Sequence, residues 1–121
     1  MFCNLCSSVR ELVACNFATC NNGIMRLTFL GTGTSMGIPV IGCRCAVCTS
    51  ADPRNKRLRT SALLEVDRTS LLFDAGPDLR QQALAVGLQR LDAVLLTHAH
   101  ADHVSGLDDI RPLNFYIFNP V

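Results

Sequence analysis

The chain's three histidines all fall within six residues, His98-Ala99-His100-Ala101-Asp102-His103, and an aspartate lies among them. Directly before them, Ala93-Val94-Leu95-Leu96 is a short continuous apolar run, the pattern of a strand buried on both faces. Extended residues send alternate side chains to the same side, so His98 and His100 leave the strand end together. Asp102 and His103 follow where the chain must turn toward its next element. Imidazoles and a carboxylate gathered at a strand end suit zinc, manganese or iron. A lone surface histidine would carry no such argument, but four potential ligands in six positions do.

The rest of the chain supplies layers to support such a loop. Arg26-Leu27-Thr28-Phe29-Leu30 alternates polar and apolar residues and runs into glycine, as a strand does. Ala62–Val66 and Ser70–Phe73 read as a hairpin around Asp67-Arg68-Thr69. A helix follows, with Pro77 and Asp78 in its first turn and Gly87 just past its end. Leu79, Ala83, Leu84 and Leu88 would form its apolar stripe. A further helix is expected from Leu107, where Asp108 and Asp109 suit a helix start. Strand, hairpin, helix, strand and helix in this order predict an α/β layered domain.

Composition narrows the class. At 121 residues, 49% hydrophobic and 17% charged, the chain is one domain's worth and too apolar for disorder. A net charge of +1 removes a global electrostatic case for nucleic acid or anionic membranes. No apolar run approaches the ~18 residues of a membrane span, so no membrane association is expected. Seven cysteines is an odd count, and the N-terminus shows neither a secretory signal nor a lipidation box. A reducing, cytoplasmic setting with cysteines as metal ligands is the better expectation.

Residues 1–24 read as a poorly structured, cysteine-containing extension, with the folded part starting at Met25. The alternative there is a zinc knuckle of Cys3, Cys6, Cys15 and Cys20. Cys43, Cys45 and Cys48 place three thiols within six residues, and three readings stay open: structural zinc, a redox pair at Cys45 and Cys48, or plain reduced thiols. Gly31, Gly33 and Gly37 do not fit a dinucleotide loop, because Pro39 and the cysteines follow instead of a helix. They would let the loop pass close to a metal cleft. Among Arg54, Lys56, Arg57 and Arg59, the pair Arg57 and Arg59 could hold substrate phosphates; a solvated basic loop is the other reading.

Thr97-His98-x-His100-x-Asp102-His103, preceded by Leu72-Phe73-Asp74-Ala75-Gly76, resembles the metallo-β-lactamase-fold hydrolase superfamily. The opening Phe29-Leu30-Gly31-Thr32-Gly33-Thr34 is similar to its phosphodiesterase branch, which includes ribonuclease Z and a phosphoribosyl cyclic phosphodiesterase. Gly42-Cys43-x-Cys45-x-x-Cys48 is similar to the latter enzyme. The resemblance runs from Met25 to about Phe118 and implies an α/β sandwich of the αββα type.

By that resemblance, His98 and His100 would hold one divalent metal and Asp102 and His103 a second, with zinc or manganese as the cofactor. A hydroxide shared between the metals would attack phosphorus, which makes Asp102 both ligand and catalytic residue. Asp74 would hold the histidine loop in place without ligating; read alone, it is equally a helix-start aspartate. Cys43, Cys45 and Cys48 would hold one structural zinc. The family pattern needs a further histidine, an aspartate and a histidine from its second half, and no histidine follows position 103. Residues 25–121 are therefore expected to form the N-terminal half of such a domain.

The expected function is a metal-dependent hydrolase of phosphodiesterase type, acting on a small or nucleic-acid phosphodiester. The alternative is a non-catalytic metal-binding module, or an inactive fragment that needs a partner. A homo-oligomer is one conceivable arrangement, but it would duplicate ligands and still lack the bridging carboxylate.

Overall fold

The computed structural model describes Cys15–Asn16 and residues 25–113. One five-stranded sheet is formed by β1 (Cys15–Asn16), β2 (Met25–Gly31), β3 (Ser61–Val66), β4 (Thr69–Phe73) and β5 (Ala93–Leu95), in that spatial order. Strands β1 to β4 are antiparallel neighbours; β5 runs parallel to β4, and α1 (Leu79–Val86) makes the crossover that a parallel pair requires. A short 3-10 turn, Pro53–Asn55, lies before β3. After β5 come α2 (Ala101–Val104) and a 3-10 turn, Leu107–Ile110.

The hairpin turns at Asp67-Arg68, where Asp67 takes φ 54, the positive value that tight two-residue connections use. Its register sets Leu63 opposite Leu72, and these are 4% and 0% exposed. Leu30, Ala75, Leu79 and Leu91 complete the core, with Val94, Leu107 and Ile110 packed against it. Gly87 ends α1 in the left-handed region, φ 66 and ψ 38, and its N–H bonds back to the last turn.

Several expectations are corrected. Leu84 is not part of the buried stripe of α1, being 65% exposed. Five residues beyond Leu79 is a rotation of ~140° at ~100° per residue, so the face continues through Gln82 and Ala83. Gln82 is buried, and its amide donates to the Arg59 carbonyl at 2.8 Å. Strand β5 is not buried on both faces: Val94 turns inward, while Leu95 is 44% exposed. Among the described residues no strand pairs beyond it and no layer covers its second side. Gly31, at the end of β2, and Gly33 just past it admit the backbone of residues 57–59, and Gly33 N–H donates to the Leu58 carbonyl at 2.7 Å.

The helix expected from Leu107 begins as a 3-10 turn and continues into helical residues at 111–113. From the stretch read as an extension, Cys15–Asn16 pairs with β2, opposite Leu27 and Arg26. The rest of that stretch lies outside the described residues, as do positions 114–121, and with it Cys3, Cys6 and Cys20 of the knuckle read at Cys3, Cys6, Cys15 and Cys20. No described helix is long and apolar enough to cross a membrane.

Candidate metal centre

The sheet topology brings the ends of β2, β4 and β5 and the start of β3 to one edge. Asp74 follows β4 there, at φ 60, a left-handed conformation that aspartate tolerates better than most residues. Its N–H donates to the Leu95 carbonyl at 3.0 Å, which ties it to the end of β5. The Ser61 hydroxyl reaches the carbonyls of Phe73 at 3.1 Å and Asp74 at 3.0 Å from beneath. Asp74 is 3% exposed and points its carboxylate at the histidine loop.

That carboxylate collects three donors. Thr97 N–H reaches Oδ1 at 2.8 Å, the Thr97 hydroxyl reaches Oδ2 at 2.8 Å, and His103 Nδ1 reaches Oδ2 at 2.7 Å. Burial alone would raise the Asp74 pKa, but the Thr97 N–H, the His103 ring and the Thr97 hydroxyl together hold it below the usual carboxylate range. The neighbouring backbone is equally tight. Ala75 N–H donates to the His103 carbonyl at 2.7 Å and Gly106 N–H to the Ala75 carbonyl at 2.8 Å. A Cβ at Gly76 would collide with the Asp102 carbonyl oxygen, and one at Gly106 with the Gly76 carbonyl, so both crossings need glycine.

On this base the three histidine rings lie in pairwise contact. The His98 and His100 ring centroids are 4.7 Å apart at 74°, and those of His98 and His103 are 3.9 Å apart at 49°. His100 remains extended as it enters α2, φ −68 and ψ 148, while Asp102 and His103 lie in that first turn. With Nδ1 of His103 committed to Asp74, its Nε2 faces Asp102 Oδ2 at 3.2 Å. The carboxylate oxygen can accept from an Nε2–H, and the same two atoms can instead share a metal cation. The donor set of three imidazoles and one carboxylate therefore fits a divalent transition metal.

The second predicted cluster also forms. The sulfur atoms of Cys43, Cys45 and Cys48 all lie within 4.8 Å of one another, and all three are free thiols. Val40 N–H points at Cys48 Sγ at 3.4 Å. The Cys48 N–H, followed by the Cys43 thiol, pulls the Cys45 thiol down to about 7. A thiol that ionises near neutral pH is a better metal ligand than an ordinary one.

The predicted phosphate-binding pair has contacts of its own. Arg59 Nη1 lies 2.8 Å from Asp78 Oδ1, its Nε donates to the Ser35 carbonyl at 2.8 Å, and its own N–H reaches Asp78 Oδ2 at 2.8 Å. Arg57 is exposed and touches the Thr32 carbonyl at 3.4 Å. Among the described residues, no hydrogen bond joins either arginine to the histidine loop. Reasoning from sequence missed Ser61, Gln82 and the role of Asp78. Thr97 stood inside the motif with no task assigned.

Residues 69–120 match the family model described as Beta-lactamase superfamily domain. The chain is 56% identical over 90 residues to an octanoyltransferase of Porphyromonas gingivalis, a match that covers 74% of this chain and 18% of that protein. It is 38% identical over 101 residues to coenzyme PQQ synthesis protein B of Methylobacterium radiotolerans, covering 72% and 34%. A crystal structure of a new diphosphatase from the PhnP family superposes with TM-score 0.75 and 53% identity, over 78% of this chain and 37% of that one. The structure of Zn(2+)-bound PqqB from Methylobacterium extorquens gives TM-score 0.61 and 34% identity, over 70% and 36%. The chain thus spans from 18% to 37% of the length of these relatives. With the histidine loop, the mixed sheet and these likenesses in agreement, the chain has the metallo-β-lactamase fold and covers part of it.

Proposed function

We propose that this chain supplies ligands for divalent metal to a hydrolase of phosphodiesters. The observation that carries the reading is a chain of contacts past the end of β5, His100 to His98, His98 to His103 and His103 to Asp102, braced by Asp74. The likeness to a PhnP-family diphosphatase supports a phosphorus-centred substrate. The octanoyltransferase name is not carried over, because the match takes in only 18% of that protein.

In this reading His98 and His100 hold one cation, Asp102 and His103 a second, and zinc or manganese serves. Bound there, such cations supply positive charge for a phosphodiester oxygen and lower the pKa of water. The chain's own residues do the positioning. Asp74 fixes the ring of His103 through Nδ1, which leaves Nε2 facing the site. Gly76 and Gly106 let the loop lie flat against the 74–76 strap, so the ligands are held on packed backbone. Residues 25–121 act as the N-terminal half of the domain, and the remaining ligands come from outside it. Cys43, Cys45 and Cys48 hold one structural zinc that stiffens the 40–50 loop.

Hydrolysis of an aryl phosphodiester with added manganese or zinc tests the reading. Turnover that depends on metal and is lost in His100→Ala supports it. Metal uptake at the histidines without turnover is what a chain lacking the remaining ligands gives, and no uptake there would remove the reading.

A further inference from the structure

The hydroxyl of Thr97 is the most connected side-chain atom at the site. It lies 2.8 Å from Asp74 Oδ2, 3.0 Å from Asp74 Oδ1, 3.0 Å from His98 Nδ1 and 3.4 Å from His103 Nδ1. Counting protons leaves one arrangement. A threonine hydroxyl has one hydrogen to give and lone pairs to receive with; an ionised carboxylate only accepts. Were the hydroxyl hydrogen aimed at His98, the Thr97 and Asp74 oxygens would face each other at 2.8 and 3.0 Å with no hydrogen between them. The hydrogen therefore goes to Asp74. What Thr97 offers His98 is then a lone pair, and the hydrogen in that contact belongs to His98 Nδ1.

We propose that Thr97 is a positioning residue that sets the tautomer of His98. Its hydroxyl, aimed by Asp74, accepts from His98 Nδ1–H and leaves the Nε2 electron pair of that ring free to ligate. Asp74 does the same for His103 directly, through Nδ1 at 2.7 Å. One carboxylate thus presets two rings, the first by contact and the second through the threonine. The step from free Nε2 to metal ligation rests on the proposed function; the tautomer itself does not.

The metal-free chain, labelled with 15N in its three histidines, gives the test at about pH 8, above the ordinary imidazole pKa of ~6.5. Two-bond 1H–15N correlations report which ring nitrogen carries the hydrogen. His98 is expected with the hydrogen on Nδ1 in the wild type, and Thr97→Val is expected to move it wholly or partly to Nε2. Zinc, followed through the same imidazole signals, should bind roughly 10–100-fold more weakly to Thr97→Val, and Thr97→Ser should restore both properties. A wild-type His98 with its hydrogen on Nε2 overturns the proposal, and it does so even if the valine variant fails to fold. So does a folded valine variant with tautomer and affinity unchanged. A wild type that has the expected tautomer but takes up no zinc would overturn the proposed function while supporting the role of Thr97.

Discussion

Arg59 and Asp78 form a two-point clamp: the guanidinium meets Oδ1 and the Arg59 N–H meets Oδ2, each at 2.8 Å. Their side chains are 28% and 18% exposed, so the pair is partly withdrawn from water. The clamp joins the start of α1 to the segment entering β3, and the same guanidinium holds the Ser35 carbonyl. A cation engaged in this way is a brace for the glycine loop before it is a substrate ligand.

Asp78→Ala should lower the unfolding free energy by about 1–3 kcal/mol, because a half-buried guanidinium and an amide lose their acceptor. The helix retains no other cap from that side chain, so none is lost. Urea denaturation measures the loss. Metal affinity at the histidines should stay within a factor of about two, since no contact of Asp78 reaches that loop.

Gly76→Ala should be costly in a different way. The new methyl meets the Asp102 carbonyl oxygen, a backbone atom that cannot swing aside. The 74–76 strap and the first turn of α2 must separate, which strains the Asp74 contact that orients His103. A stability loss of about 1–3 kcal/mol should come with weaker metal binding at the histidine loop. Gly87→Ala is the control: nothing lies within 4 Å of its Cβ, and only its φ of +66 is unfavourable. That change should cost about 1–2 kcal/mol and leave metal affinity intact, as paired urea and zinc titrations would show.

How much of this was legible in sequence follows from the range of the interactions. The histidine cluster is local, six residues of chain, and local order carries it through to rings in contact. The hairpin follows from two apolar runs around a tight turn, which closes in two residues, Asp67 and Arg68, with Thr69 already paired to Val66. Asp74 stood out only by resemblance, because its acceptor role depends on Thr97, 23 residues away. Ser61 and Gln82 left no signal at all. A buried serine between strand ends and a buried glutamine on a helix face look like ordinary polar residues until 13 and 23 residues of chain are folded back on them. Strand β5 failed for a related reason: its apolar run specifies what it can bury, and only one face finds a layer among the described residues.

The cysteine triad can be separated from the histidine site. Cys45→Ser replaces the thiol that ionises most readily with a hydroxyl that does not ionise near neutral pH. Zinc per chain, measured by atomic absorption after dialysis, should fall by about one. The imidazole signals should respond to added metal as in the wild type. Equal zinc content in both proteins would sink the structural-zinc assignment.

Asp92 fixes the sign of an acid sensitivity away from both clusters. Its N–H donates to the Ser70 carbonyl at 2.9 Å and its Oδ2 accepts Ser70 N–H at 2.8 Å, which staples the entry of β5 to the start of β4. The Ser70 N–H, and next the Arg90 guanidinium at 2.6 Å, hold its carboxyl below the usual range. A folded pKa below the ordinary ~3.9 means that the unfolded chain takes up the proton first as pH falls. The stabilisation from this carboxylate is therefore full above that value and is lost as pH drops through the folded pKa. Asp92→Ala should show a lower urea midpoint than wild type at pH 7, and the gap should narrow on acidification below about pH 4. Because the Arg90 side chain is largely exposed, ~0.5 M salt should narrow the gap only slightly, as most of it comes from the Ser70 contact. A gap that stayed constant from pH 7 to pH 3 would show that the carboxylate charge contributes nothing there.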